Sequence, residues 1–256
     1  MCRLTAYLGP AVSLGKLLLE PEHSLLVQSY KPQEMANAVV NADGFGVGWY
    51  HPQRQIPPCV YTNIIPMWND INFPNLGTYL ESSCILANVR SATTGIAVDQ
   101  SNCQPFRYDN LLFTHNGYIT NFRKTLMRPI RDSLSDEYYQ AIQGTSDSEH
   151  IFALFLNYWQ QSQLSLVEAL DKTVQQLVAW AGDSVGLALN LLVTDGNQVA
   201  GVRTNHQASS PSLYWQQGEA ALIASEPLSP EQAWSPCPDH HLLSVNRSGQ
   251  FQFEAL

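Results

Sequence analysis

Positive charge is scarce in this sequence: 13 Lys and Arg stand against 22 Asp and Glu, a formal net charge of −9. Such a chain lacks the clustered cations that neutralise a phosphate backbone, so nucleic acid is not an expected partner. The acidic residues are dispersed, so no acidic tail is implied. The cysteines Cys2, Cys59, Cys84, Cys103 and Cys237 are five in number, widely spaced and free of CxxC pairs. Neither a disulfide framework nor a zinc site is expected, and no metal or other cofactor is called for. No run approaches the roughly 18 apolar residues of a membrane span. No basic segment followed by an apolar stretch opens the chain, and the expectation is a soluble cytoplasmic protein. There is no internal repeat. The alternating glycines of Phe45-Gly46-Val47-Gly48 are not a dinucleotide fingerprint, because the spacing is wrong and no helix follows. They mark instead a strand approached closely by another backbone or a ligand.

What is present supports a sizeable core: 256 residues, 45% of them hydrophobic. Cys2 to Leu8 reads as a strand that Gly9-Pro10 stops. A short helix with Leu25 and Leu26 inward follows Pro21, then a turn at 41–44 and a strand at 45–50. Residues 51–79 read as an irregular, proline-rich connection. Cys84 to Val89 reads as a buried strand ending at Arg90, and Leu111 to Thr114 as one ending at His115-Asn116-Gly117. Ser146 with Glu149 is a capping-box signature that starts a helix at Asp147, and Ser165 with Glu168 starts a second that Gly182 ends. Strands at 187–194 and 198–203 flank the hairpin signal Asp195-Gly196. Further strands cover 220–225, 241–246 and 250–253. Strands, two helices, then strands predict an α+β layered architecture.

The chemistry concentrates at Met1-Cys2. Cys2 is small, so an aminopeptidase is expected to remove Met1 and leave a thiol and a free α-amine on one residue. An α-amine titrates near ~7.7–8.0 and a thiol near ~8.5, so the amine is the better base, beside the nucleophile it must deprotonate. Three later features follow strand ends: Arg90, Asn116-Gly117 and Asp147. Each has a plain structural alternative, namely a surface ion pair, a common turn and a helix-dipole partner.

Together, Met1-Cys2, Asp43-Gly44-Phe45-Gly46, Val89-Arg90-Ser91-Ala92-Thr93, His115-Asn116-Gly117 and Ser146-Asp147-Ser148-Glu149 resemble, in order and spacing, the class II glutamine amidotransferases, the N-terminal-nucleophile group of amidohydrolases. The resemblance implies a four-layer αββα sandwich of two antiparallel sheets in one domain over 1–256. Catalytic elements fall in 2–160, and C-terminal strands in 187–256 complete the sheets. It implies roles as well. Cys2 attacks the δ-carbonyl of a γ-glutamyl group, with its own amine as base. The Asn116 amide and the Gly117 N–H form the oxyanion hole, Arg90 takes the substrate α-carboxylate, and Asp147 takes the α-ammonium. Thr93 and His115 join the substrate-binding set, His115 by orienting the oxyanion pair.

Within the family, Leu25 to Tyr30, Val40 to Gly44 and Val89 to Thr93 resemble the hydrolases of γ-glutamyl hercynylcysteine sulfoxide in ergothioneine biosynthesis. So do Ala224-Ser225-Glu226-Pro227 and Pro238 to Leu242. Many glutaminase-type members carry His-Pro where this chain has Gln104-Pro105. Such a substrate carries a trimethylammonium, which aromatic faces hold well. Trp68, with Tyr30, Phe45 and Trp49, is a candidate cage, with Asp70 as its anion. The expected activity is therefore cleavage of a γ-glutamyl amide to release glutamate, with a glutaminase subunit feeding ammonia to a separate synthase as the alternative. The expected partner is the small γ-glutamyl substrate; the oligomeric state is left open, a homo-oligomer included.

Overall fold

Two antiparallel sheets stack face to face, and each carries helices on its outer side. The computed structural model describes residues 2–34, 40–51, 53, 55–92, 97–161, 163–231 and 233–256. The first sheet contains β1 (Arg3–Ser13), β2 (Phe45–Trp49), β3 (Cys59–Asn63) and β4 (Glu81–Val89). The second contains β5 (Phe106–Tyr108), β6 (Leu111–Ile119), β7 (Leu187–Thr194) and β8 (Gln198–His206). β9 (Tyr214–Gln217), β10 (Ala221–Ala224) and β11 (Ser235–Pro236) return to the first sheet, and β12 (His241–Asn246) and β13 (Phe251–Ala255) to the second. The strand orders are β11-β9-β10-β1-β4-β2-β3 and β13-β12-β8-β7-β6-β5.

Period-two alternation assigns the faces. Leu4, Ala6, Leu8, Leu86, Leu112 and Leu192 form the core between the sheets. The intervening residues Tyr7, Phe45, Val47, Ile85 and Ala87 pack under α1 (Leu14–Leu18), α2 (Leu25–Tyr30) and α3 (Phe73–Tyr79). On the other side, Leu111, Phe113, Leu189 and Leu191 pack under α6 (Asp147–Gln161) and α7 (Leu166–Ala181). Phe113 stacks on Phe152 at 4.9 Å between ring centroids. The four-layer αββα arrangement follows directly. β7 is buried along its whole length because both of its faces are covered. No helix of the described residues is long and apolar enough to cross a membrane.

Several expectations are corrected. β1 does not stop at Gly9-Pro10. It runs to Ser13 through a register shift between Leu8 and Val12, and Pro10 sits in that shift, where no ladder hydrogen bond is required of it. The 51–79 segment is not one irregular loop, since β3 pairs with β2 and α3 closes it. His115-Asn116-Gly117 does not end a strand, because β6 continues to Ile119. The 118–145 segment, which the sequence left unassigned, holds α4 (Met127–Ser133) and α5 (Asp136–Ala141). Ser165 and Glu168 form the full capping box. Ser146 and Glu149 form only half of one: Ser146 Oγ accepts the Glu149 N–H at 3.3 Å. The Glu149 carboxylate turns instead to the N–H groups of Gln143 and Gly144, at 2.9 and 2.6 Å. The Ser146 N–H goes to Asn102 Oδ1 at 3.1 Å.

The α4–α6 joint contains a buried, acid-sensitive contact. His150 Nδ1–H donates to the Ser146 carbonyl at 2.7 Å, so Nε2 is the acceptor that receives Arg131 Nε–H at 2.9 Å. Burial, with the Arg131 charge adding to it, pushes the His150 imidazole down to about 4, against the bond to the Ser146 carbonyl. A histidine depressed in the folded state contributes stability that is whole above its unfolded value near 6.5 and is lost as pH falls from there toward 4. The contribution is on the order of 3 kcal/mol. Thermal midpoints measured from pH 7.5 to 4.5 should therefore fall steeply in the wild type and distinctly less in His150→Gln; equal slopes would refute the assignment.

Candidate active site

The register of β1 on β4 sets Arg3 opposite Val89. Cys2, just before β1, therefore meets the chain just beyond β4, and its thiol lies 3.8 Å from the Ser91 carbonyl oxygen. Arg90 is the residue between Val89 and Ser91, and it is buried. Its N–H donates to the Gly44 carbonyl at 2.8 Å, and its carbonyl accepts the Asp43 N–H at 3.0 Å. Its guanidinium donates to two backbone carbonyls, those of Asp43 at 3.3 Å and Ala97 at 3.1 Å. Among the described residues Arg90 stands in no ion pair. It is thus not the surface ion pair of the plain alternative, but a buried cation whose protein partners are neutral. Gly44 is required at its position: φ is +110°, and a Cβ would lie 2.8 Å from Cys103 Sγ. Burial pushes the Cys103 thiol up to about 11, with Arg90 opposing and Asp99 and Cys2 adding to it. Both the nucleophile and the cation are therefore within electrostatic reach of one buried sulfur.

Asn116 reaches the same region from the other sheet. Two residues on from Leu86, Asn88 faces the space between the sheets; so do Thr114 and Asn116, two and four on from Leu112. The apolar inter-sheet core thus becomes polar at the end that holds Cys2. Asn88 Nδ2 donates to Thr114 Oγ1 at 3.4 Å, and Asn116 Nδ2 to Ser225 Oγ at 3.3 Å. Ser225 also accepts the Leu4 N–H at 3.0 Å and donates its own N–H to the Leu4 carbonyl at 3.0 Å. Gly117 follows on β6, and a Cβ there would fall 1.8 Å from the Ala188 carbonyl oxygen, so only glycine fits. Gln104 brackets His115 on that strand. Its Oε1 accepts the His115 N–H at 2.6 Å, and its Nε2 donates to the His115 carbonyl at 3.1 Å. The side chain thereby acts as one more peptide unit at the edge of β6.

His115 points the other way, toward α6. Its Nε2–H donates to the Ala188 carbonyl at 3.1 Å, which leaves Nδ1 to accept Ser148 Oγ–H at 3.0 Å. Burial lowers its pKa, with the Asp147 charge opposing, and the neutral form fits both contacts. Its ring reaches Asp147 through Ser148, whose Oγ also lies 3.3 Å from Asp147 Oδ1. Asp147 opens α6 and is buried; Oδ2 accepts the Ile119 N–H at 2.9 Å and Oδ1 the Ser148 N–H at 2.8 Å. A carboxylate offers about four lone-pair sites, so capacity for an ammonium remains. A relay ties this helix start to Arg90. Asn102 Nδ2 donates at 3.2 Å to the Ala97 carbonyl that Arg90 also uses, while Asn102 Oδ1 accepts the Thr145 and Ser146 N–H groups. Thr93 lies outside the described residues.

The proposed aromatic cage is largely dismantled. Phe45 is fully buried against Phe73 and Tyr61. Asp70 is no free anion: Oδ2 accepts from Tyr61 Oη at 2.6 Å and Asn63 Nδ2 at 3.0 Å, and Oδ1 accepts the Asn72 and Phe73 N–H groups that open α3. What remains is Trp68, 38% exposed, edge-on to Tyr30 at 5.9 Å between ring centroids. Two residues that sequence reasoning passed over complete the picture. Arg3 is fully buried beside Cys2, with Nε 3.0 Å from Glu226 Oε1, and His23 Nε2 lies 2.6 Å from Glu226 Oε2. The run Ala224-Ser225-Glu226-Pro227 thus supplies both this ion pair and the Asn116 contact; its likeness to relatives was visible, its contacts were not.

The profile of the family described as glutamine amidotransferases class-II matches residues 22–210. The chain belongs to that family. It is an enzyme of γ-glutamyl amides. It is 30% identical to the γ-glutamyl-hercynylcysteine sulfoxide hydrolase of Mycobacterium tuberculosis, over 97% of this chain and 94% of that protein. It is also 30% identical to the probable glutamine amidotransferase DUG3 of Saccharomyces cerevisiae, over 96% of this chain and 82% of that one. Among solved structures, a class-II glutamine amidotransferase domain protein of Silicibacter pomeroyi superposes with a TM-score of 0.73 at 22% identity, over 99% of both chains. An allosteric regulatory enzyme of purine biosynthesis superposes with a TM-score of 0.69 at 16% identity, over 99% of this chain and 49% of that one. These two establish the fold, a class-II amidotransferase sandwich.

Proposed function

We propose that the protein hydrolyses the γ-glutamyl amide bond of a γ-glutamyl hercynylcysteine sulfoxide-type conjugate and releases glutamate through a thioester on Cys2. The carrying observation is that the Cys2 thiol lies against the residue directly after Arg90, whose buried guanidinium no described carboxylate neutralises. A γ-glutamyl head presents an α-carboxylate to match the free Arg90 charge, in the planar two-point contact that arginine makes well. Its α-ammonium matches Asp147.

With Met1 removed, the Cys2 α-amine accepts the thiol proton, and sulfur adds to the δ-carbonyl. The negative charge that develops on the carbonyl oxygen faces Asn116 Nδ2–H and the Gly117 N–H. The C–N bond breaks, the departing amine takes the proton from the α-ammonium of Cys2, and a glutamyl thioester remains. Water, deprotonated by the same amine, adds to the thioester, and the thiol is regenerated as glutamate leaves. The mycobacterial relative, by its name a hydrolase of such a conjugate, supports this substrate, and the Tyr30–Trp68 edge offers an aromatic surface for a cationic acceptor group. The test is a comparison of kcat/KM for L-glutamine and for a γ-glutamyl thiohistidine betaine conjugate. The conjugate should be preferred by at least about tenfold, on the order of the discrimination one pocket contact supplies. A preference for glutamine would replace this reading with that of an ammonia-supplying glutaminase.

A further inference from the structure

Asn116 is an oxyanion donor only if its amide is aimed. Among the described residues its carboxamide makes one hydrogen bond, from Nδ2 to Ser225 Oγ at 3.3 Å, while the buried Oδ1 has no partner. An amide NH2 is planar and carries two N–H bonds, so pinning one of them fixes the direction of the other. Ser225 is fully buried and is itself held by both backbone groups of Leu4, two residues from Cys2 on the same strand. One hydroxyl therefore ties the donor on the second sheet to the nucleophile's strand on the first.

We infer that Ser225 is a positioning residue of the reaction, which holds the Asn116 amide in the direction needed to receive the developing oxyanion. This inference rests on the thioester reading above. Ser225 touches no reacting atom itself. It acts through Asn116, and that is what distinguishes it from a residue that merely supports the fold. Its hydroxyl also pairs the Leu4 N–H, so its loss will lower stability as well, and the test has to separate the two effects.

A double-mutant cycle does so. Acylation rates are measured with γ-glutamyl-p-nitroanilide, normalised to titrated Cys2 thiol, for the wild type, Ser225→Ala, Asn116→Ala and the double variant, with thermal midpoints for all four. Ser225→Ala should slow acylation by about ten- to a hundredfold in the wild-type background, short of losing the donor outright. In the Asn116→Ala background it should cost less than about twofold in rate, while the thermal midpoint still drops there, because the Leu4 N–H loses its partner in either background. Should Ser225→Ala fail to fold, Ser225→Cys, of similar size but a weak hydrogen-bonding group, takes its place in the same cycle. An equal rate loss in both backgrounds, or no loss in either, overturns the inference and leaves the thioester reading standing. A wild-type enzyme with no Cys2-dependent acylation overturns the thioester reading itself, and the inference with it.

Discussion

An extra residue placed between Met1 and Cys2 will remove turnover from a protein that still folds. The loss should reach at least about 10³-fold, because it takes away the proton acceptor and displaces the sulfur together, and general base catalysis alone contributes about 10²–10⁴. Cys2→Ala should cost about 10⁴ or more, since no glutamyl thioester can form. Neither change touches the ladder that holds the terminus, which begins with Arg3 opposite Val89. The Arg3–Glu226 pair behind it is equally untouched. Cys2 is buried but stands outside that ladder, so the thermal midpoint should move by no more than about 4 °C. The decisive measurement pairs intact mass, which reports the first residue, with steady-state hydrolysis of a γ-glutamyl amide. Full activity in a chain whose mass still includes residues ahead of Cys2 would rule out the amine as the base.

The second large effect falls on Asn116. Asn116→Ala should lower kcat by about 10²–10³ with KM nearly unchanged, because the amide meets charge that exists only in the transition state. The arithmetic of stability favours a clean experiment. Among the described residues the Asn116 carboxamide makes a single hydrogen bond, to a serine that keeps its Leu4 partner. Its buried Oδ1 has no partner among them, so truncation also removes an unpaired acceptor. A variant that folds well and turns over slowly is the expected result. A raised KM with kcat intact would instead place Asn116 in ground-state binding, and the oxyanion assignment would fall.

Much of the candidate site is legible in the chain. Cys2, Arg90, Asn116-Gly117 and Asp147 stand out by residue type and by motifs whose order resembles the family's. The structure puts the first three around one polar end of the inter-sheet space and links Asp147 to them through Asn102 and Ala97. What misled was local grammar. Asn-Gly reads as a turn, yet here it lies inside β6, because its pairing with β7 across Asn116–Asn190 and Gly117–Leu189 outweighs the turn preference. Gly9-Pro10 reads as a stop, yet β1 passes through it on an irregular register. Asp70 reads as a free anion, yet the start of α3 and Tyr61 use both of its oxygens.

By itself, then, the sequence determined the alternation that builds two covered sheets, the capped helices α6 and α7, and the residue types that a γ-glutamyl amide demands. These are properties of short stretches, set by side-chain period and chemical identity. Only the tertiary structure decided that Ser225 joins Leu4 to Asn116, that Glu226 neutralises Arg3, that Gln104 clamps His115 and that the His115 ring reaches Ser148 at the start of α6. Two of those contacts, Leu4–Ser225 and Arg3–Glu226, join residues from opposite ends of the chain. Their partners are chosen by strand order and register, which no local pattern encodes.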